Sequence, residues 1–175
     1  MAGGRRTEVK LAGIGGQGIV LAGRILALGA FHDGKWATCI QTYSARVRGA
    51  PVESDVIISD RRVSYPFVRK PDILLALAEP AFRFARDMAE GGVLITDTSL
   101  AHLAEELEVR KVIVPIFKTA EEVGSASLAN MVALGALVGR TGLVSASSVE
   151  EAIREAVGAR FLEQDLRAFR RGLDL

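Results

Sequence analysis

The feature that most constrains this chain is a glycine cluster, Gly13-Ile14-Gly15-Gly16-Gln17-Gly18, set between two stretches of different periodicity. Residues 8–13 (EVKLAG) read as a short strand, and residues 19–31 give an apolar helical pattern that Asp33-Gly34 breaks. A glycine turn carrying a strand into a helix is a mark of α/β architecture, in which the helix packs back onto the sheet it left. Glycines also let the backbone approach a ligand closely, and a helix N-terminus offers unpaired N–H groups to a phosphate. No Lys-Ser/Thr follows Gly18, so this is not a Walker loop. A dinucleotide reader needs an acid near the end of the second strand to hold a ribose. Here that strand ends Ile40-Gln41-Thr42-Tyr43, and Asp33 precedes it. Three readings stay open: NAD binding, weakened by the missing acid; a tight turn with no ligand; and another phosphate-bearing ligand, which the residues favour.

The rest of the chain alternates in the same way. Strands are predicted at residues 37–43, 53–59, 72–78, 93–96 and 109–116. A helix is predicted from Pro80 to about Glu90, ended by Gly91-Gly92, because proline in a first turn loses no hydrogen bond. Further helices are predicted near Glu121 and at residues 128–139, 148–157 and 161–171, the third with Ser148 as N-cap and Glu151 completing a capping box. This pattern predicts an α/β, Rossmann-like, mostly parallel sheet with helices on both faces. Residues 37–59 hold two strands joined by a loop too short for a helix, so an antiparallel pairing or irregular insertion is expected there. The length of 175 residues favours one domain, residues 1–175.

Composition narrows the function. Lys and Arg total 22 against 21 acids, a net charge of +1 that gives no sign of nucleic-acid or membrane attraction. No apolar run approaches the roughly 20 residues needed to span a bilayer, and residues 1–10 lack a signal-peptide core; the expectation is cytoplasmic. The single cysteine, Cys39, excludes an internal disulfide and leaves no CxxC pair for zinc or an iron–sulfur cluster; it is expected to be an inert buried group. His32 and His102 have no nucleophile or metal partner at motif spacing and read as bystanders.

Two further places invite a ligand. Ser44-Ala45-Arg46-Val47-Arg48-Gly49-Ala50-Pro51 follows the second strand, and loops at the carboxyl ends of such strands meet in one crevice. Its arginines suit a pyrophosphate or a partner's carboxylates, or they form an exposed basic turn. Asn130 sits near the start of a helix that is apolar nearly all round. A buried amide there must find partners, either by tying down a nearby loop or by facing a ligand.

Taken together, these segments resemble the gamma subunit of 2-oxoacid:ferredoxin oxidoreductases. The resemblance rests on Gly13-Ile14-Gly15-Gly16-Gln17-Gly18, on Gln41-Thr42-Tyr43-Ser44 with Arg48-Gly49-Ala50, on Tyr65-Pro66 with residues 71–77 (PDILLAL), and on Asn130-Met131 with Leu134-Gly135. It covers residues 8–157, and the Tyr65 to Leu77 stretch is most similar to the 2-oxoglutarate branch, with the pyruvate and branched-chain branches close. Family members often carry Gly-Pro-Glu-Ala-Arg-Gly-Gly after the second-strand tyrosine, where this chain has residues 44–50 (SARVRGA).

The resemblance implies oxidative decarboxylation on thiamine diphosphate, electrons leaving through iron–sulfur clusters to ferredoxin, and transfer of the acyl group to coenzyme A. It implies that thiamine diphosphate, Mg and the clusters lie on alpha, beta and, where present, delta subunits. This chain would then help bind coenzyme A and assemble the complex, without activity alone. Carried over, Gly13, Gly15, Gly16, Gln17 and Gly18 would meet the cofactor, Arg48 and Gly49 would line the same cleft, and Asn130 would hydrogen-bond near it. The alternatives are the small subunit of an indolepyruvate oxidoreductase, or a stand-alone coenzyme A- or nucleotide-binding protein with no catalysis.

Overall fold

A computed structural model describes residues 5–43 and 49–175, and of Tyr43 only the backbone. It contains β1 (Arg6–Ile14), α1 (Ile19–His32), β2 (Trp36–Tyr43), β3 (Pro51–Ser59), β4 (Ile73–Ala76), β5 (Val93–Asp97), β6 (Arg110–Val114), α2 (Ile116–Val123), α3 (Ala129–Thr141), α4 (Ala146–Ala156) and α5 (Leu162–Leu173). The strands form one sheet in the order β2-β3-β1-β4-β5-β6. β1, β4, β5 and β6 pair in parallel, whereas β3 runs antiparallel to both of its neighbours, β1 and β2. The expected α/β sheet is thus a mixed one. β3 lies between the two strands that α1 connects, and it returns directly from β2 as a hairpin, which is the pairing the short 37–59 segment allows.

The two faces are covered differently. Val9, Leu11, Val56, Ile58, Ile73, Leu75 and Ile95 point to one face and pack under α1 and α3. α3 is buried from Ala129 to Val138, because the sheet lies on one side of it and α5 on the other. Each large apolar side chain so enclosed is worth about 1.5–3 kcal/mol against exposure. α4 packs on α1, completing a second helical layer.

The opposite face carries no α-helix among the described residues. Over β1, β4 and β5 it is capped by two 3-10 segments, Glu79–Asp87 and Thr98–Ala104, which bring Ala81, Ala85 and Ala104 onto Ala12, Leu74, Ala76 and Leu94. The helix predicted from Pro80 to Glu90 is therefore of the tighter kind and ends three residues early. Nearer β3 this face is charged: Lys10 Nζ lies 2.6 Å from Asp55 Oδ1 and 3.1 Å from Glu53 Oε2. Arg83 pairs with Glu53, and both Lys10 and Arg83 stand over the Phe84 ring.

Local signals explain several boundaries. Asp97 caps the segment after β5, Oδ1 accepting from Ser99 N at 2.7 Å, while Oδ2 accepts from Phe117 N at 2.9 Å and so fixes the start of α2. α4 starts earlier than expected, with Ser145 rather than Ser148 as N-cap. The reason is Asp33, which accepts from the hydroxyls of both serines at 2.6 Å and from Ser145 N at 2.7 Å, holding that turn at the end of α1. Cys39 is half-buried rather than buried, since β2 is an edge strand, and its sulfur lies 3.3 Å from Ser54 Oγ. No helix of the described residues is long and apolar enough to cross a membrane.

Candidate functional site

The carboxyl ends of β1, β2 and β4 and the start of antiparallel β3 lie at one end of the sheet, which brings the glycine loop to the mouth of the β2–β3 connection. Gly15 N donates to Ala50 O at 2.9 Å, so the two loops touch as their strand positions predict. Gly49 is exposed there with φ 76°, and Arg48 lies outside the described residues.

The loop is held from behind by side chains. Gln17 Oε1 accepts from Ile14 N and Gln17 Nε2 donates to Leu77 O, both at 2.8 Å. Both ends of this amide are therefore engaged by the ends of β1 and β4, and its part is to brace the loop. Asn130, which is buried, donates from Nδ2 to Gly18 O at 3.4 Å, and its Oδ1 accepts from Met131 N at 2.9 Å. Of the two roles open to this asparagine, the structure shows the tie to a nearby loop. Gly18 has φ 71°, a left-handed conformation that suits glycine. A β-carbon at that residue would stand 2.3 Å from Asn130 Nδ2, so this glycine is required twice over.

The side chains that support the loop leave Gly15 and Gly16 exposed. The N–H groups of Gly16 and Gly18 carry no hydrogen bond to another described residue. The first turn of α1 adds the unpaired N–H groups and partial positive charge common to helix starts. They border a cleft of about 590 Å³ lined by Ile14, Gly15, Gly16, Gly18, Ile19, Val20, Gln41 and Val52. None of these residues is charged. Sequence reasoning missed the apolar lining, Ile19, Val20 and Val52, though Gln41 stood in the motif at the end of β2. A cleft of about 580 Å³ lies between Arg86 and Arg110, beside the amino ends of β5 and β6, and is remote from the glycine loop. Backbone donors of fixed direction make the loop cleft the stronger candidate.

The two histidines differ. His102 is exposed on the segment after β5. His32, at the end of α1, meets Glu151 and Glu155 of α4, residues too distant in sequence for a motif to reveal.

A mixed sheet whose glycine loop meets the mouth of the β2–β3 connection, beside a cleft with no charged side chain among the described residues, defines an α/β domain of Rossmann-like class. Comparison with known proteins agrees with that class and narrows it. The chain matches the family described as pyruvate ferredoxin/flavodoxin oxidoreductase over residues 8–175, and it belongs to that family. It is 40% identical to 2-oxoglutarate synthase subunit KorC of Methanothermobacter thermautotrophicus, covering 97% of this chain and 95% of the relative. Among solved structures it is similar to the gamma subunit of a keto/oxoacid ferredoxin oxidoreductase from Geobacter sulfurreducens, with TM-score 0.87, 39% identity, and 97% and 95% of the two chains covered. The 2-oxoglutarate:ferredoxin oxidoreductase of Magnetococcus marinus, known with 2-oxoglutarate, coenzyme A and succinyl-CoA bound, shares the fold at TM-score 0.85 and 24% identity; the match covers 96% of this chain and 30% of that one.

Proposed function

We propose that this chain, acting as one gamma-type domain over residues 1–175, helps bind coenzyme A within a 2-oxoglutarate:ferredoxin oxidoreductase. The observation that carries the reading is the set of backbone N–H groups at Gly16, Gly18 and the start of α1 that have no partner among the described residues, beside a cleft whose described lining is uncharged, in a member of this family. Such donors suit phosphate oxygens, and the apolar wall of Ile19, Val20 and Val52 suits an uncharged arm. When bound, coenzyme A supplies the thiol that accepts the acyl group.

In this proposal Gly15, Gly16 and Gly18 meet the ligand through their backbone, and Gly49 borders it. Gly13, Gln17 and Asn130 shape the loop from behind, and Arg48, next to Gly49, supplies the positive charge that the described cleft lacks. Thiamine diphosphate, Mg and iron–sulfur clusters would reside on alpha, beta and, where present, delta subunits, with ferredoxin as the electron acceptor. The complex would be cytoplasmic. The 2-oxoglutarate branch is favoured by the KorC relatives, which match this chain from end to end at up to 40% identity.

The test is to capture the chain with its partners from native extract and assay coenzyme A-dependent reduction of a viologen dye by 2-oxoglutarate, pyruvate, 2-oxoisovalerate and indolepyruvate. The expected result is larger partners carrying iron and thiamine, with activity strongest on 2-oxoglutarate. A lone chain without activity would overturn the subunit reading, and preference for another oxoacid would overturn the branch.

A further inference from the structure

At the end of α1 farthest from the glycine loop, the side chains of His32, Glu151 and Glu155 converge, their nearest nitrogen and carboxylate oxygens lying within 4.8 Å of one another. The two acids are one helical turn apart on α4 and so share a face. The histidine comes from the last residue of α1. Two features hold these helices together at this point. Gly29 lets them approach closely: a β-carbon on it would lie 2.9 Å from Val149 Cγ2. Asp33, next to His32, binds the first turn of α4 through Ser145 and Ser148 by three hydrogen bonds of 2.6, 2.6 and 2.7 Å. The relative position of histidine and acids is therefore set by backbone packing and by a clasp that uses none of the three.

The histidine carries the second observation. Its side chain is 17% exposed, and Nε2 is buried without a hydrogen-bond partner among the described residues. Glu155 Oε1 lies 3.0 Å away but outside hydrogen-bonding geometry, so the contact is one of proximity. A buried imidazole nitrogen with no partner is costly. A cation between nitrogen and carboxylates would satisfy it.

We propose that His32, Glu151 and Glu155 form a divalent metal site, with Zn2+ as the ion the donors fit best. Imidazole selects transition ions over Mg2+ and Ca2+, and one imidazole with two carboxylates leaves a fourth tetrahedral position to water. Metal–donor bonds of about 2.0–2.2 Å put tetrahedral donor atoms roughly 3.3–3.6 Å apart, a spacing close to the 3.0 Å between His32 Nε2 and Glu155 Oε1. Glu151 and Glu155 are exposed, so rotation of their side chains would supply the adjustment the ion requires. The bound ion would clamp α1 to α4 at the end opposite the cleft, and the proposal does not depend on the coenzyme A reading.

The test uses the full-length, tag-free chain. Zn2+ affinity is measured by competition with a chromogenic chelator, Co2+ is used as a spectroscopic probe, and Tm is recorded with and without Zn2+. The expected result is one Zn2+ per chain, a tetrahedral Co2+ spectrum and a raised Tm. Both His32→Gln and Glu155→Gln should weaken Zn2+ at least tenfold and abolish the Tm rise. The second variant keeps the test valid if the first fails to fold. Zn2+ binding of equal strength in a folded variant, or a Tm that Zn2+ leaves unchanged, would overturn the site and leave a His32–Glu155 ion pair in its place.

Discussion

Replacing Gln17 by alanine separates a brace from a ligand contact. In the structure its amide accepts from Ile14 N and donates to Leu77 O, each at 2.8 Å. Alanine removes both bonds and leaves a donor and an acceptor at strand ends that are only partly open to water. A buried group left unpaired costs about 1–3 kcal/mol, and partial access to solvent favours the lower end, so the pair amounts to about 2 kcal/mol. For a chain of 175 residues this corresponds to a fall in Tm of about 4–8 °C. The assay is a thermal melt of the full-length chain followed by far-UV circular dichroism, alongside coenzyme A titration of the assembled complex. Gln17→Glu sharpens the test, because its carboxylate still accepts from Ile14 N but sets an oxygen against Leu77 O; its Tm should fall further than that of Gln17→Ala. An unchanged Tm in Gln17→Ala combined with weakened coenzyme A binding would refute the reasoning and return Gln17 to the ligand.

Other expectations follow from the same contacts. Gly18→Ala should lower stability by about 1–3 kcal/mol through its left-handed backbone, and more through the clash with Asn130, as read by urea denaturation. Lys10→Met should cost about 3–5 kcal/mol by leaving Asp55 without its cation beside Glu53, which keeps only Arg83, whereas Arg83→Met, at an exposed position, should cost less in the same denaturation series. Burial acts most strongly on Glu8 and pushes its carboxyl up, but the Arg6 side chain and the N–H groups of Arg69 and Lys70 outweigh it and hold the group below its ordinary range. Its stabilisation is therefore present above the unfolded value of about 4.3 and is lost as pH falls through the lower folded value. Tm–pH curves should show Glu8→Gln losing that acid-side slope. Burial raises Asp165, so its charged form is a burden above its folded pKa; Asp165→Asn should raise Tm at neutral pH, with the gain shrinking on acidification.

Much of this architecture was legible because strand and helix patterns alternate, and because glycine loop, arginine loop and Asn130 stood out against their surroundings. At residues 37–59 length left an antiparallel pairing or an irregular insertion, since no helix fits between the strands, and the structure shows the first. The 3-10 character of Glu79–Asp87 was not legible: apolar residues at 81, 84, 85 and 88 fit an α-helix equally well. The N-cap of α4 was misplaced by one turn because Asp33, which selects Ser145, is 112 residues away. The expectation that Gln17 meets the ligand did not anticipate Leu77 O, whose position depends on β4 pairing beside β1. His32 read as a bystander for the same reason: its neighbours are assembled by helix packing, which leaves no trace at short spacing.

The glycine loop is made early in synthesis and supported late. Its contacts lie 35 residues downstream at Ala50, 60 at Leu77 and 112 at Asn130. A nascent or truncated chain that stops before α3 carries the complete glycine motif without the tie at Gly18. The motif is thus not a portable module. Grafted onto another strand and helix it would bring its flexibility without its shape, and during translation the cleft cannot reach its final form until residue 130 has left the ribosome and docked.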